Sequence, residues 1–432
     1  MDHAYLTASR KKLGEIYADL SHNVTRIYNR VPVHLAFDLV AHSVLGFTFK
    51  GQRVQRGWVE GLLVGDTRVG KSQIAERLAG HYGLGRHVNC ERVSFAGLVG
   101  GMQQIGKTWN INWGIIPLFD RQMVTLDEAS GLTTEQISQM SGLRSGGVAE
   151  IVKIQQERTW ARCRLLWIMN RRKEMDNRME DLSYGVKAVP EGMGRVEDIA
   201  RLDFALCMSQ SDVPAGVVNA KERPAVDARF TPDRCHNLLL WAWSRREEEV
   251  VWAPETEDFI LDQATALSSK YSPEIPIVER SEQRIRLARL SCAMAARLFS
   301  TDDLGKKLLV RQEHVQLVLD FLTSIYNHAA MRYDRFSQSR NHVSTYSDES
   351  LDLCVDRLRR YNPDTLGSMV MYLSENEDLN KFDMAEATGW DMDSVRQFFQ
   401  LFSSKSRGLR PAAGGRVIKT PLMAAALKRM EG

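Results

Sequence analysis

Apolar residues in the first fifty positions recur at helical spacing: Leu13, Ile16, Tyr17 and Leu20, then Val33, Leu35, Leu39, Val40 and Val44. They predict helices leading into a larger core. A turn, Lys50-Gly51-Gln52-Arg53, closes this stretch. The run Val59-Glu60-Gly61-Leu62-Leu63-Val64 reads as a buried strand, after which Ile74, Ala75 and Leu78 restore helical spacing. Apolar strands return at Met123-Val124-Thr125-Leu126, at Leu165-Leu166-Trp167-Ile168-Met169 and around Phe204-Ala205-Leu206. Strands separated by helical stretches predict an α/β fold with a parallel sheet.

Other patterns divide the rest. Apolar and polar residues alternate through Glu150–Trp160, as in a two-stranded ribbon. Leu238, Leu239, Trp241 and Ala242 share one helix face, and Phe259, Ile260 and Leu261 begin the next helix. Residues 334–350 are polar and serine-rich, a linker by composition. Beyond them, a helix near Leu366–Leu373, a Gly389 turn and a helix from Asp393 read as helix-turn-helix. Gly408, Gly414-Gly415 and Val417-Ile418 then suggest a wing of two short strands around a basic loop.

With 432 residues, two to three domains are expected. No apolar run approaches the ~20 residues of a membrane span, and Met1-Asp2-His3-Ala4 does not begin a signal peptide. Six cysteines without a C-x-x-C pair suggest neither a zinc site nor a disulfide framework, so a reducing cytoplasm is expected. A net charge of +3 confines any nucleic-acid surface to local patches.

The chemistry concentrates in Gly65-Asp66-Thr67-Arg68-Val69-Gly70-Lys71-Ser72, which fits the phosphate-binding pattern G-x-x-x-x-G-K-[ST] between a strand and a helix. Glycines let successive N–H groups face phosphate oxygens, and the helix N-terminus adds positive dipole. Lys71 would reach the β- and γ-phosphates of ATP, and Ser72 would sit on Mg²⁺. Asp127 and Glu128 end the Met123 strand, where the first would hold Mg²⁺ through water and the second polarise an attacking water. Asn170 ends the Leu165 strand, and Arg201 precedes the Phe204 strand. A bare strand-ending turn also accounts for Asn170.

In this order the motifs resemble AAA+ ATPases, and most closely the MCM (mini-chromosome maintenance) helicase family. Leu63–Gln73 is similar to that family's LLVGDPGTAKSQ segment, Ala200-Arg201-Leu202-Asp203 to its S-R-F-D motif, and Ser94-Phe95-Ala96-Gly97-Leu98 to its T-S-A-G-L segment. Ile277–Ala296 resembles the lid helix that carries sensor 2. The likeness covers roughly residues 30 to 325. It departs at Val69-Gly70 before the lysine, at Leu202, at Arg171 in place of a proline after Asn170, and in lacking the family's N-terminal DNA-binding region. A divergent member, encoded by a mobile element or phage, or the C-terminal part of a longer polypeptide, would fit.

The resemblance implies an AAA+ P-loop core over 51–212, with a helix-2 insert at about 100–114 and a pre-sensor-1 hairpin at about 148–162. Residues 1–50 would be a helical lead-in, 213–333 a helical lid, 334–350 a linker and 351–432 a winged helix. It implies ATP and Mg²⁺ held by Gly65, Asp66, Thr67, Gly70, Lys71, Ser72, Gln73 and Asp127. Glu128 and Asn170 would direct water, and Arg201 would act as a finger on a neighbouring subunit. Arg280 is the first choice for sensor 2 and Arg284 the second. Lys153, then Lys107, would touch DNA in a central channel, and Arg396, Arg407, Arg410, Arg416 and Lys419 would touch phosphates from the winged helix. A winged helix used only for protein contacts is as consistent. The expected activity is that of a ring-forming, homo-hexameric replicative helicase on single-stranded or forked DNA, with primase or loading partners, in a bacterial or phage-infected cell. Two other readings are an AAA+ remodeller of protein partners, with the winged helix as adaptor, and a non-catalytic origin-binding module. The absence of an aromatic-glycine pore loop weighs against the first, and the presence of Glu128 against the second.

Overall fold

The structure, a computed structural model, describes residues 1–431 apart from 153–155, 172–177, 342–347, 377, 405–407 and 412–416. The chain divides into two compact units, Met1–Phe336 and Ser337–Gly432.

The first unit is mixed α/β. Five of its strands are β1 (Glu60–Gly65), β2 (Arg86–Asn89), β3 (Met123–Asp127), β4 (Arg164–Met169) and β5 (Phe204–Met208). They form one parallel sheet in the order β5-β1-β4-β3-β2. Every residue of β1, β3, β4 and β5 is buried, because helices cover both faces. That explains why these strands read as continuous apolar runs rather than alternating ones. From β1 the chain crosses to the far edge at β2, returns through β3 and β4, and ends at β5 on the other side of β1. The strand order therefore reverses at β1, and a crevice opens there at the carboxyl ends of the strands.

Helix α1 (His3–Asp19) is N-capped by Asp2 and runs into a π-helical turn, Leu20–Thr25. Helix α2 (Val31–Ala41) restarts with Pro32 in its first turn and packs on β1 and β4. Helix α3 (Lys71–Tyr82) follows β1 directly. Four later helices are the longest of the rest of the unit: α4 (Pro232–Trp243), α5 (Thr256–Lys270), α6 (Gln283–Arg297) and α7 (Gln312–Tyr326). Helix α6 packs on α2, and α7 packs on α1 and β5, so one hydrophobic core runs from the N-terminal helices into residues 213–333. A buried hub joins four of these helices. Asp38 of α2 accepts hydrogen bonds from Tyr82 of α3 at 2.7 Å, Tyr17 of α1 at 3.1 Å and Arg297 of α6 at 2.5 Å. Burial pushes the Asp38 carboxyl up, but Arg297 and the other donors outweigh it and leave it below the usual carboxylate range.

Two antiparallel hairpins leave the sheet: Gly100–Ile105 with Thr108–Trp113, and Val148–Val152 with Gln156–Trp160. The stretch expected to be a linker is helical over Tyr333–Asn341, and the next helix starts at Asp348. The boundary between the two units falls within this stretch, between Phe336 and Ser337, and the helix that enters it is anchored by two aromatics. Tyr333 and Phe336 are both buried, and the Tyr333 hydroxyl donates to the Ser272 and Ile275 carbonyls at 2.7 Å.

The second unit has helices α8 (Asp348–Tyr361), α9 (Leu366–Glu375), α10 (Lys381–Thr388), α11 (Met392–Ser404) and α12 (Pro421–Glu431). A three-stranded antiparallel sheet joins Asp378–Leu379, Val417–Lys419 and Leu409–Pro411, with Val417–Lys419 in the middle. Gly389 takes a left-handed φ of 71° to end α10, and Val395, Phe398 and Phe402 turn the inner face of α11 into a separate core. Among the described residues, no helix of either unit is long and apolar enough to cross a membrane.

Candidate functional site

At the crevice, β1 gives way to the loop Asp66–Gly70 and then to α3. Gly65 is required by close approach, because a Cβ there would lie 2.3 Å from the Met208 carbonyl oxygen on β5. Gly70 is required by conformation, with φ +92° at the N-cap of α3. Asp66 is turned inward. Its two carboxylate oxygens accept from the backbone N–H groups of Met179 at 2.8 Å and Gln210 at 2.9 Å, which fixes the loop against two other segments.

Lys71 is buried at 5% exposure, and its Nζ donates to the Gly65 and Asp66 carbonyls at 2.9 and 2.6 Å and to Asn170 Oδ1 at 3.0 Å. The Asn170 amide in turn donates from Nδ2 to Glu128 Oε2 at 3.0 Å. Only this amide orientation satisfies both neighbours, since an ammonium can only donate and a carboxylate only accept. Burial pushes the Lys71 ammonium down to about 8, against the opposing pull of Glu128, Asp66 and Asp127. Glu128 has φ +49°, a left-handed conformation that costs a non-glycine residue roughly 1–2 kcal/mol. Burial, then Asp127 and Glu91, push its carboxyl above the usual range.

The Ser72 hydroxyl donates to Asp127 Oδ1 at 2.8 Å, and the Glu128 backbone N–H reaches the same oxygen at 2.9 Å. A hydroxyl and a carboxylate in contact at the start of α3 form a hard oxygen pair. That donor set fits Mg²⁺, which takes few protein ligands and keeps several waters.

Thr67, Arg68, Gly70, Lys71, Ser72, Gln73, Glu128 and Asn170 line one cleft of about 820 Å³. The rest of its wall is not foreshadowed by motif. Arg26, Ile27, Tyr28 and Arg30 come from the loop between the π-turn and α2, and Gln210, Val213, Val217 and Val218 from the segment after β5. Left-handed Arg26 and Asn29 bracket Ile27 and Tyr28. Arg77 of α3 donates to the Thr25 carbonyl, and Arg30 pairs with Asp212 at 2.7 Å, so the loop is held against both neighbours. The Arg223 guanidinium stacks 3.4 Å over the Tyr28 ring and donates to the Val217 and Val218 carbonyls, which clasps the two walls together. The only sequence signal for this wall is the break in helical spacing before Pro32.

The remaining candidates lie elsewhere. Arg201 does not line this cleft. It sits where β5 begins, with its side chain 25% exposed and bonded to the Glu197 carbonyl and Asp198. Its backbone is clamped, because Arg56 donates to the Arg201 carbonyl at 2.8 Å and Arg286 donates to the Ala200 carbonyl. Arg280 and Arg284 are exposed beside a shallow hollow formed with Leu261, Ala264 and Ser268. Arg286, Arg289 and Arg297 are buried on α6, where Arg289 pairs with Asp203 and Arg297 with Asp38. Lys107 is exposed at the tip of the first hairpin, and Arg396 is exposed on α11 beside Asp393. Lys419 is turned inward onto the Leu373 carbonyl. Lys153, Arg407 and Arg416 lie outside the described residues. No protein-family model and no curated protein matches the chain.

Proposed function

We propose that the chain is an ATP-driven, ring-forming DNA helicase or translocase of the MCM-like AAA+ type, with residues 213–333 as lid and the second unit as a winged helix. The observation that carries the reading is the Lys71–Asn170–Glu128 chain of hydrogen bonds, which with Ser72 lines one cleft at the reversal point of the sheet, together with the Asp127 carboxylate bonded to Ser72. Such a cleft offers a polyphosphate a cation and N–H groups, and offers an attacking water a carboxylate.

Lys71 would exchange its carbonyl partners for phosphate oxygens. Ser72 and Asp127 would hold Mg²⁺, which would offset the phosphate charge. Glu128, with its carboxyl already raised, would accept a proton from water that Asn170 positions. Ile27, Tyr28, Val213 and Val217 would receive the base. Arg201, clamped outside the cleft of its own chain, would serve the next subunit of a homo-hexamer. The two hairpins, with Lys107 and Lys153, would follow the strand in the channel.

The test is the ATPase rate with and without single-stranded DNA, followed by strand displacement on 3′- and 5′-tailed forks. Stimulation and displacement are expected. Hydrolysis without either would remove the helicase reading. It would favour an ATPase acting on protein partners, for which Phe382 and Met371, 72% and 61% exposed on the second unit, offer apolar contacts.

A further inference from the structure

His87 lies on the edge strand β2, opposite Thr125 and two residues before Asn89, which pairs with Asp127. Partners in register share a face of the sheet, so His87 projects on the same side as Thr125 and Asp127. Its Nε2 stands 3.0 Å from Asp127 Oδ2. A carboxylate only accepts, so Nε2 carries the hydrogen of this bond. Nδ1 is buried and has no hydrogen-bond partner among the described atoms. The imidazole thus has one polar engagement, and it is with Asp127.

The two Asp127 oxygens are divided between different duties. Oδ1 faces Ser72 and the Glu128 N–H, and Oδ2 faces His87. A cation held between Ser72 and Oδ1 would leave the His87 bond in place. Burial alone would push the Asp127 carboxyl up, yet the His87 and Ser72 hydrogen bonds outweigh it and leave it below the usual range. Resting on the proposed nucleotide-hydrolysing site, we infer that His87 is a positioning residue that fixes the Asp127 carboxylate to receive the divalent cation accompanying the nucleotide. It touches neither phosphate nor cation. Its effect is to hold one rotamer of the acid, as an outer hydrogen-bond partner holds a metal ligand.

The test uses the full chain with a fluorescent ATP analogue, titrated in EDTA and then against Mg²⁺. Mn²⁺ bound with the analogue is counted separately by electron paramagnetic resonance. The variants are His87→Ala and His87→Gln, the second keeping an N–H donor. For His87→Ala, the metal concentration at half-saturation should rise by about 10-fold, within the range for lost outer partners, while affinity in EDTA and the melting temperature stay at the parent values. His87→Gln should recover most of the metal response. An unchanged metal response in His87→Ala would overturn the inference and leave the nucleotide site standing. Equal loss in both variants, with EDTA affinity and melting temperature falling together, would assign His87 to packing and also overturn it. A parent protein that binds no analogue under either condition would overturn the nucleotide site itself, and this inference with it.

Discussion

Where the five parallel strands begin, charges are buried in pairs; where they end, charges face a cleft. At the first end, Glu60 accepts from Arg144 at 2.6 Å and from the Trp167 indole at 2.8 Å. Arg144 also reaches Asp198 at 2.9 Å, and Asp203 accepts from Arg289 at 2.9 Å and from the Glu60 N–H at 2.8 Å. Arg164 is the exception there: fully buried, it donates to the Ser43 and Arg121 carbonyls rather than to a carboxylate, leaves Nη2 without a partner among the described residues, and is pushed by burial down to about 9. At the other end, Lys71 is bound to loop carbonyls and Asn170, Glu128 to the Asn170 amide, and Asp127 to Ser72 and His87, beside an opening large enough for a ligand to replace such partners. A saturated buried charge defines structure because every alternative leaves it unsolvated. A charge with replaceable partners can do chemistry. Arg201 belongs to the first end but behaves like the second, since it keeps contact with water.

That exception gives the largest expected effect. Arg201→Ala should lower ATP turnover by about 10³–10⁵-fold, the range for an arginine finger, while nucleotide binding persists. Normal turnover would place Arg201 among the structural charges. Glu128→Gln should lower turnover by roughly 10²–10⁴-fold, as for a lost general base, with an unchanged melting temperature. A matching loss of stability would erase the distinction between the two ends.

Arg144→Met should show the opposite profile. Leaving Glu60 and Asp198 without their buried partner should cost about 3–5 kcal/mol, read as a lower urea midpoint. The smallest effect concerns pH. Lys71 loses its proton as pH rises through about 8, so binding a polyanion above that value must take the proton back. Affinity should be flat below pH 8 and then fall, approaching tenfold per unit. Calorimetry at pH 9 in two buffers of different ionisation heat should detect the proton uptake.

Sequence legibility follows how local each feature is. Gly65–Ser72 are contiguous, and their spacing alone places a lysine and a hydroxyl at a helix start. The apolar runs of β1, β3 and β4 were readable because both faces of the sheet are covered. Tyr28, Val217 and His87 reach their places only through strand order and through the fold of residues 20–30 over α3, which no short window contains. Arg286 and Arg289 look like surface residues until Asp203 and the Ala200 carbonyl are brought to them. The helix that enters the 334–350 stretch is illegible for a related reason, since its anchors are Tyr333, just before the stretch, and Phe336.

The clamp on Arg201 has a mechanical consequence. Arg286 and Arg289 both project from α6 and grip the turn on either side of Arg201, one at Ala200 and one at Asp203. Neither grip is exposed to water that could substitute for it, so slippage between helix and turn is costly. Any tilt of α6 must therefore carry the Arg201 turn with it, as a tooth on a gear follows its shaft.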